Sequence, residues 1–144
     1  MNNNSKIKLF LVDDDAVFLK LLEIKFLQLP DFSVETYRTG ELCVANLSRE
    51  PDIIILDYYF DVLDKNAMNG IETLDKIKAW KQSVPVIMLS SQDEIEVAVN
   101  CMHHKAFDYV VKSETAFMRL KHLISTIQRQ QKLEKELCWY MDRM

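Results

Sequence analysis

Apolar residues gather in short runs along this chain, and between the runs they recur every three or four positions. The runs at 7–12 (Ile-Lys-Leu-Phe-Leu-Val), 53–56 (Ile-Ile-Ile-Leu) and 86–89 (Val-Ile-Met-Leu) show little alternation, as expected of strands covered on both faces. Residues 107–111 read as a further strand, whereas 32–37 alternates and belongs near an edge or against solvent on one side. Asp15 is placed to cap a helix whose stripe of Phe18, Leu21, Leu22, Phe26 and Leu29 runs down to Pro30. Gly40 opens a short helix through Leu47, and Gly70 opens a third, with Ile71, Leu74 and Ile77 as its stripe to about Trp80. Asp93 and Glu94 suit the first turn of a fourth, whose apolar positions include Ile95, Val99 and Met102. The fifth begins near Glu114 with Phe117, Leu120, Ile124 and Ile127 as its core stripe. Strand and helix thus alternate five times. That order predicts an α/β fold, a doubly wound parallel sheet with helices on both faces, because right-handed crossovers are nearly obligatory.

In a parallel sheet every strand delivers its carboxyl end to one edge, where open α/β folds hold their ligands. Here the first strand runs into Asp13 and Asp14, the third into Asp57, the fourth into Ser90 and the fifth into Lys112. Three clustered carboxylates repel one another, and a hard divalent ion with oxygen ligands, Mg²⁺ above all, meets the need for a cation. Lys112 adds a fixed positive charge and Ser90 a hydroxyl donor. The set suits phosphoryl chemistry, in which a carboxylate attacks phosphorus while metal and ammonium neutralise the equatorial oxygens. His103, His104 and His122 fall in helical segments away from this edge, so no histidine base stands beside a serine or cysteine nucleophile. Singly, an aspartate after a strand is usually a cap and a terminal lysine a solvated charge. Together, the four strand ends are hard to dismiss.

Composition narrows the field without adding chemistry. The 144 residues fit one domain, about 6–127 as core and 128–144 as a helical extension. A net charge of −4 with no basic block gives no footprint for direct contact with nucleic acid. No apolar run approaches the roughly 20 residues of a membrane span, and the polar start lacks a signal-peptide core, so a cytoplasmic protein is expected. Cys43, Cys101 and Cys138 are odd in number and widely spaced, which suits free thiols in a reducing compartment. Two glycines are too few for a phosphate-cradling loop.

Leu-Val-Asp-Asp-Asp at 11–15, Ile-Ile-Ile-Leu-Asp at 53–57, Val-Pro-Val-Ile-Met-Leu-Ser-Ser at 84–91 and Phe-Asp-Tyr-Val-Val-Lys at 107–112 resemble, in order and spacing, four known signatures. They are those of the receiver domain of bacterial two-component response regulators, the CheY-like superfamily. The resemblance covers about residues 6–127. It implies a flavodoxin-like (βα)5 fold with strand order 2-1-3-4-5. It also implies that Asp57 accepts a phosphoryl group from a phosphohistidine on a sensor kinase or phosphotransfer protein. Asp14 and Asp57 would ligate Mg²⁺ directly, Asp13 would act through water, and the backbone carbonyl of Tyr59 would complete the site. Ser90 and Lys112 would hold the phosphoryl oxygens. Tyr109 would be the aromatic switch that swings inward, and Tyr59 and Gln92 would tune hydrolysis. A downstream protein would then read a repacked face of the fourth helix, fifth strand and fifth helix.

Several positions depart from the family pattern. Twelve residues separate Asp57 from Gly70, an insertion of about five, which a surface loop tolerates at little cost or which serves as a lid or partner contact through Tyr58, Tyr59 and Phe60. Ser113 stands where a proline commonly follows the lysine, so a trans bond is expected there, a non-proline cis bond costing about 2.5–4 kcal/mol. Lys105 holds a place usually given to glycine, which implies a different cap on the fourth helix. Past Ile127 the last helix turns polar, then apolar again at Leu137, Cys138, Trp139, Tyr140 and Met141. It reads as a solvated extension or as a surface for a partner or second subunit. A coiled coil on the Ile124, Ile127 register is interrupted by Gln131 and Glu134. No helix-turn-helix or catalytic unit follows, so output through protein contact is expected. Two other functions compete with a phosphorylation-controlled switch. One is a pseudo-receiver that binds without phosphate, which has no use for mutually repelling carboxylates. The other is an aspartyl-nucleophile phosphohydrolase, which generally has an acid two residues after the nucleophile, where this chain has Tyr59.

Overall fold

A computed structural model describes residues 6–60 and 67–144 of the chain. Residues 1–5 and the middle of the long loop after Asp57, 61–66, lie outside the described residues. Five strands, β1 (Ile7–Val12), β2 (Phe32–Tyr37), β3 (Ile53–Asp57), β4 (Val86–Ser90) and β5 (Asp108–Val111), form one parallel sheet of order β2-β1-β3-β4-β5. Between and after them run α1 (Ala16–Leu27), α2 (Gly40–Ala45), α3 (Gly70–Trp80), α4 (Ile95–His103) and α5 (Ala116–Asp142). The sheet and its order are those expected.

Two cores sandwich the sheet, one on each face. Leu9, Leu11, Ile53, Ile55, Ile87, Leu89 and Val110 meet α1 and α5, while Phe10, Val12, Ile54, Leu56, Val86 and Met88 meet α2, α3 and α4. Alternate residues of one strand therefore serve opposite cores, which is why β3 and β4 are buried throughout and read as unbroken apolar runs. Every residue of β2 is only half-buried, in keeping with its place at the edge. Cys43 and Cys101 are buried and Cys138 exposed, all three as free thiols.

Two helix faces differ from the sequence reading. On α1 the buried residues are Leu19, Leu22 and Phe26, and Leu21 is exposed. On α4 the core takes Val97 and Cys101, leaving Ile95, Val99 and Met102 in solvent. Both helices carry apolar residues on more than one side, so two stripes fit the period of 3.6 equally well and only the sheet decides between them. The boundaries also move. α1 stops at Leu27, α2 stops at Ala45 with a 3₁₀ turn at Leu47–Arg49 after it, and α5 starts at Ala116.

Helix ends are fixed by local chemistry. Asp15 Oδ1 accepts from the Val17 and Phe18 amides, as its position suggested. Asn69 and Glu72 form a reciprocal capping box at the start of α3. α4 ends in a Schellman turn: Lys105 sits at φ 72°, its amide reaches the Met102 carbonyl, and the Ala106 amide reaches that of Cys101. The cap is of the usual form, built on a lysine in place of glycine. The Lys112–Ser113 peptide is trans.

Candidate active site at the carboxyl edge of the sheet

Adjacent strands bring the acids together. β1 and β3 pair in register at Val12 and Leu56, so the residues that follow, Asp13 and Asp57, emerge side by side. One oxygen from each of Asp13, Asp14 and Asp57 lies within 4.8 Å of the others. Asp13 and Asp57 are 1% and 2% exposed, and Asp14 is half-buried. Lys112, one residue past β5, crosses to them: its Nζ is 2.7 Å from Asp13 Oδ2 and 3.4 Å from Asp57 Oδ1. The Phe18 ring lies 5.1 Å from the same ammonium and forms an apolar wall beside it. Phe18 is thus more than the core residue its helical spacing suggests.

The electrostatics follow from that packing. Burial, followed by the charge of Asp13, raises the Asp57 carboxyl from 3.8 to about 8, and Lys112 offsets this only in part. Burial works against the Lys112 ammonium, but the hydrogen bond and charge of Asp13, with those of Asp57, outweigh it and raise its pKa. Asp13 and Asp57, both buried, share the single ammonium of Lys112. Three oxygen donors so close together, two of them withdrawn from water, fit a small hard divalent cation.

Two short loops complete the site. The Tyr59 amide donates to Asp57 Oδ1 at 3.4 Å, and the Asp15 amide donates to Asp13 Oδ1 at 2.9 Å. Gly70 lets α3 start against the end of β3, since a Cβ there would lie 2.5 Å from the Asp57 carbonyl oxygen and 2.6 Å from that of Tyr58. Ser90, fully buried, donates from Oγ to the Gln92 carbonyl at 3.0 Å and accepts from the Gln92 amide at 3.1 Å. The Tyr109 hydroxyl donates to the same carbonyl. In this conformation both hydroxyls are therefore held by the backbone of Gln92. Tyr59 is exposed, while Tyr58 and Phe60 pack in part against the core beneath α3 and α4.

Sequence reasoning missed three contacts. The Tyr58 hydroxyl is 3.1 Å from Asn100 Nδ2 on α4, tying the residue after Asp57 to that helix. Arg38 Nη2 donates to the Asp14 carbonyl at 3.1 Å. The third is the double use of the Gln92 carbonyl. None leaves a signal in spacing or composition: the first two join residues 42 and 24 apart in the chain, and the third depends on the path of the loop after β4.

A sequence model described as the response regulator receiver domain matches residues 9–125. A protein-glutamate methylesterase/protein-glutamine glutaminase of Clostridium acetobutylicum is 34% identical over 118 residues, 78% of this chain and 32% of that protein. The transcriptional regulatory protein PrrA of Mycobacterium leprae is 33% identical over 73% of this chain and 43% of its own. The chain thus spans less than half the length of these relatives. Among solved structures, a signal receiver domain of a putative Luxo repressor protein from Vibrio parahaemolyticus superposes with a TM-score of 0.77, covering 92% of this chain and 97% of that one at 24% identity. A CheY-like receiver domain from Methanospirillum hungatei gives 0.73 at 22% identity over 89% of this chain and 98% of its own. Fold, strand-end chemistry and sequence agree, and the chain belongs to the response regulator receiver family.

Proposed function

We propose that residues 1–144 form one receiver unit that accepts a phosphoryl group on Asp57 and changes its protein contacts in response. The observation that carries this reading is the buried cluster itself: Asp13 and Asp57 share Lys112, with Asp14 at the rim. A module that only binds gains nothing from a carboxyl that burial, and then the charge of Asp13, raise to about 8.

Asp57 is the nucleophile toward a phosphohistidine on a sensor kinase or phosphotransfer protein. Its oxygen bonds phosphorus as the P–N bond breaks, and the imidazole keeps the bonding pair. Lys112 stands where it can neutralise a phosphoryl oxygen, moving from carboxylate to phosphate partners. Asp13, Asp14 and Asp57, with the Tyr59 carbonyl, would hold Mg²⁺, which when bound supplies the charge neutralisation that brings Asp57 to its reactive ionised form. Ser90 Oγ and the Tyr109 hydroxyl share one acceptor, the Gln92 carbonyl. Turning Ser90 toward a phosphoryl oxygen breaks its hydrogen bonds to the Gln92 backbone and frees Tyr109 to repack. Tyr59 and Gln92 flank the path of the hydrolytic water and set the lifetime of the acyl phosphate. Ile95, Val99 and Met102, exposed on α4, present an apolar surface on the α4–β5–α5 face for a downstream protein. Among the described residues no helix is long and apolar enough to cross a membrane, which suits a switch working in the cytoplasm.

Beryllofluoride, a mimic of the acyl phosphate, tests the reading without a kinase. Added with Mg²⁺, it should give one bound fluorine signal by NMR and shift amides of Ser90, Gln92, Tyr109 and α4. Absence of both, in protein that binds Mg²⁺, favours the constitutive binding module.

A further inference from the structure

α4 is tied to the loop after β3 at a point away from its own ends. Asn100, in the middle of α4, donates from Nδ2 to the Tyr58 hydroxyl at 3.1 Å. Asparagine is a poor residue for a helix interior, because its side chain competes for the backbone, and its amide does better with a partner outside the helix. Asn100 stands beside Val97 and Cys101, which are buried in the core, while Ile95, Val99 and Met102 are exposed around the helix from it. Both Asn100 and Tyr58 are half-buried, so water competes with their bond only in part. Tyr58 is fixed along the rest of its length as well. Its amide donates to the Leu89 carbonyl at 2.7 Å, and Gly70 brings α3 against its backbone. Its ring packs in part against the core beneath α3 and α4 and meets the Tyr59 ring edge-on, with 4.7 Å between centroids.

The neighbours of Tyr58 in the chain are Asp57 and Tyr59, and the Tyr59 amide donates to Asp57 Oδ1. Asn100 therefore reaches the Asp57 site through one side chain and one peptide unit. That route is separate from the Ser90 and Tyr109 contacts, which meet the chain at Gln92, ahead of α4. We propose, on the reading of Asp57 as the phosphoryl acceptor of a Mg²⁺ site, that Asn100 and Tyr58 are positioning residues for that site. Their hydrogen bond holds residues 57–59 in the conformation that binds Mg²⁺ and ties this conformation to the placement of α4. Coupling between two sites is reciprocal. A partner that covers Ile95, Val99 and Met102 with α4 in this placement raises the Mg²⁺ affinity of the Asp57 site, and loss of the bond lowers it.

Mg²⁺ titrations of the full chain, followed by ¹H–¹⁵N NMR, test it on wild type, Tyr58→Phe, Asn100→Leu and the double variant. Each single change removes one half of the bond and keeps the bulk of the side chain. Each should weaken Mg²⁺ binding about fivefold, the worth of one net hydrogen bond, and the double variant should lose no more than either single one. In wild type the Asn100 side-chain amide should shift with Mg²⁺. In Tyr58→Phe it should stay still, while the backbone amides of Asp13, Asp57 and Tyr59 go on shifting. Equal Mg²⁺ affinity in all four proteins, even with lower melting temperatures in EDTA for the variants, would mean that the bond serves stability alone and would overturn the proposal. So would single losses that add in the double variant, since the two residues would then act separately. A wild type in which Mg²⁺ shifts none of Asp13, Asp57 and Tyr59 would overturn the Mg²⁺ site itself, and the positioning roles with it.

Discussion

Consider the Asp57→Asn protein, with the shape of the side chain kept and its charge removed. In the folded, metal-free chain the Asp57 carboxyl lies at about 8 against an ordinary 3.8, chiefly through burial and then through Asp13. An unfolded chain at pH 7 carries this group ionised, so folding must either protonate it or bury the charge. The gap between 3.8 and pH 7 is about three units, and each unit is worth about 1.4 kcal/mol, which bounds the penalty near 4 kcal/mol. Lys112 loses its 3.4 Å contact in the variant but keeps Asp13 at 2.7 Å, so about 2–4 kcal/mol of added stability should survive. For a chain of this size that is a rise of about 6–12 °C in melting temperature, measured calorimetrically in EDTA. The pH dependence has a definite sign. Because the folded pKa is raised, the folded state holds the extra proton. The stability it confers is complete below about 3.8 and is lost as pH rises toward about 8. Wild type should therefore lose stability across that window relative to Asp57→Asn. If the variant is no more stable than wild type at pH 7 in EDTA, the electrostatic reasoning is refuted.

Other consequences follow from single contacts. Mg²⁺ at ten times its dissociation constant should stabilise wild type by about 1.4 kcal/mol, and Asp14→Ala should abolish most of that gain when both proteins are titrated by thermal shift. Gly70→Ala should cost about 2–3 kcal/mol in urea denaturation, because its Cβ would meet two backbone oxygens at 2.5 and 2.6 Å that cannot withdraw. Lys105→Gly should instead stabilise by about 0.5–1 kcal/mol, since only the left-handed φ of 72° is at stake there.

The sheet was legible because each strand declares itself locally: four apolar residues in β3 and in β4 admit no other buried arrangement. The carboxyl-edge set was legible for a related reason, since each functional residue ends a strand and the parallel order collects the ends. Helix faces were less so. α4 offers Ile95, Val97, Val99, Cys101 and Met102, and choosing the buried pair requires knowing how α4 crosses the sheet. Hydroxyl orientation was not legible at all. That Ser90 and Tyr109 converge on the Gln92 carbonyl depends on the path of a loop, and a loop's path is set by contacts between distant residues.

Intact-protein mass after incubation with acetyl phosphate, with and without Mg²⁺, tests the central claim most directly. A gain of one phosphate that requires Mg²⁺ and disappears in Asp57→Ala is the result expected. An unchanged wild-type mass under conditions where Mg²⁺ is bound, or an equal gain in Asp57→Ala, would contradict it.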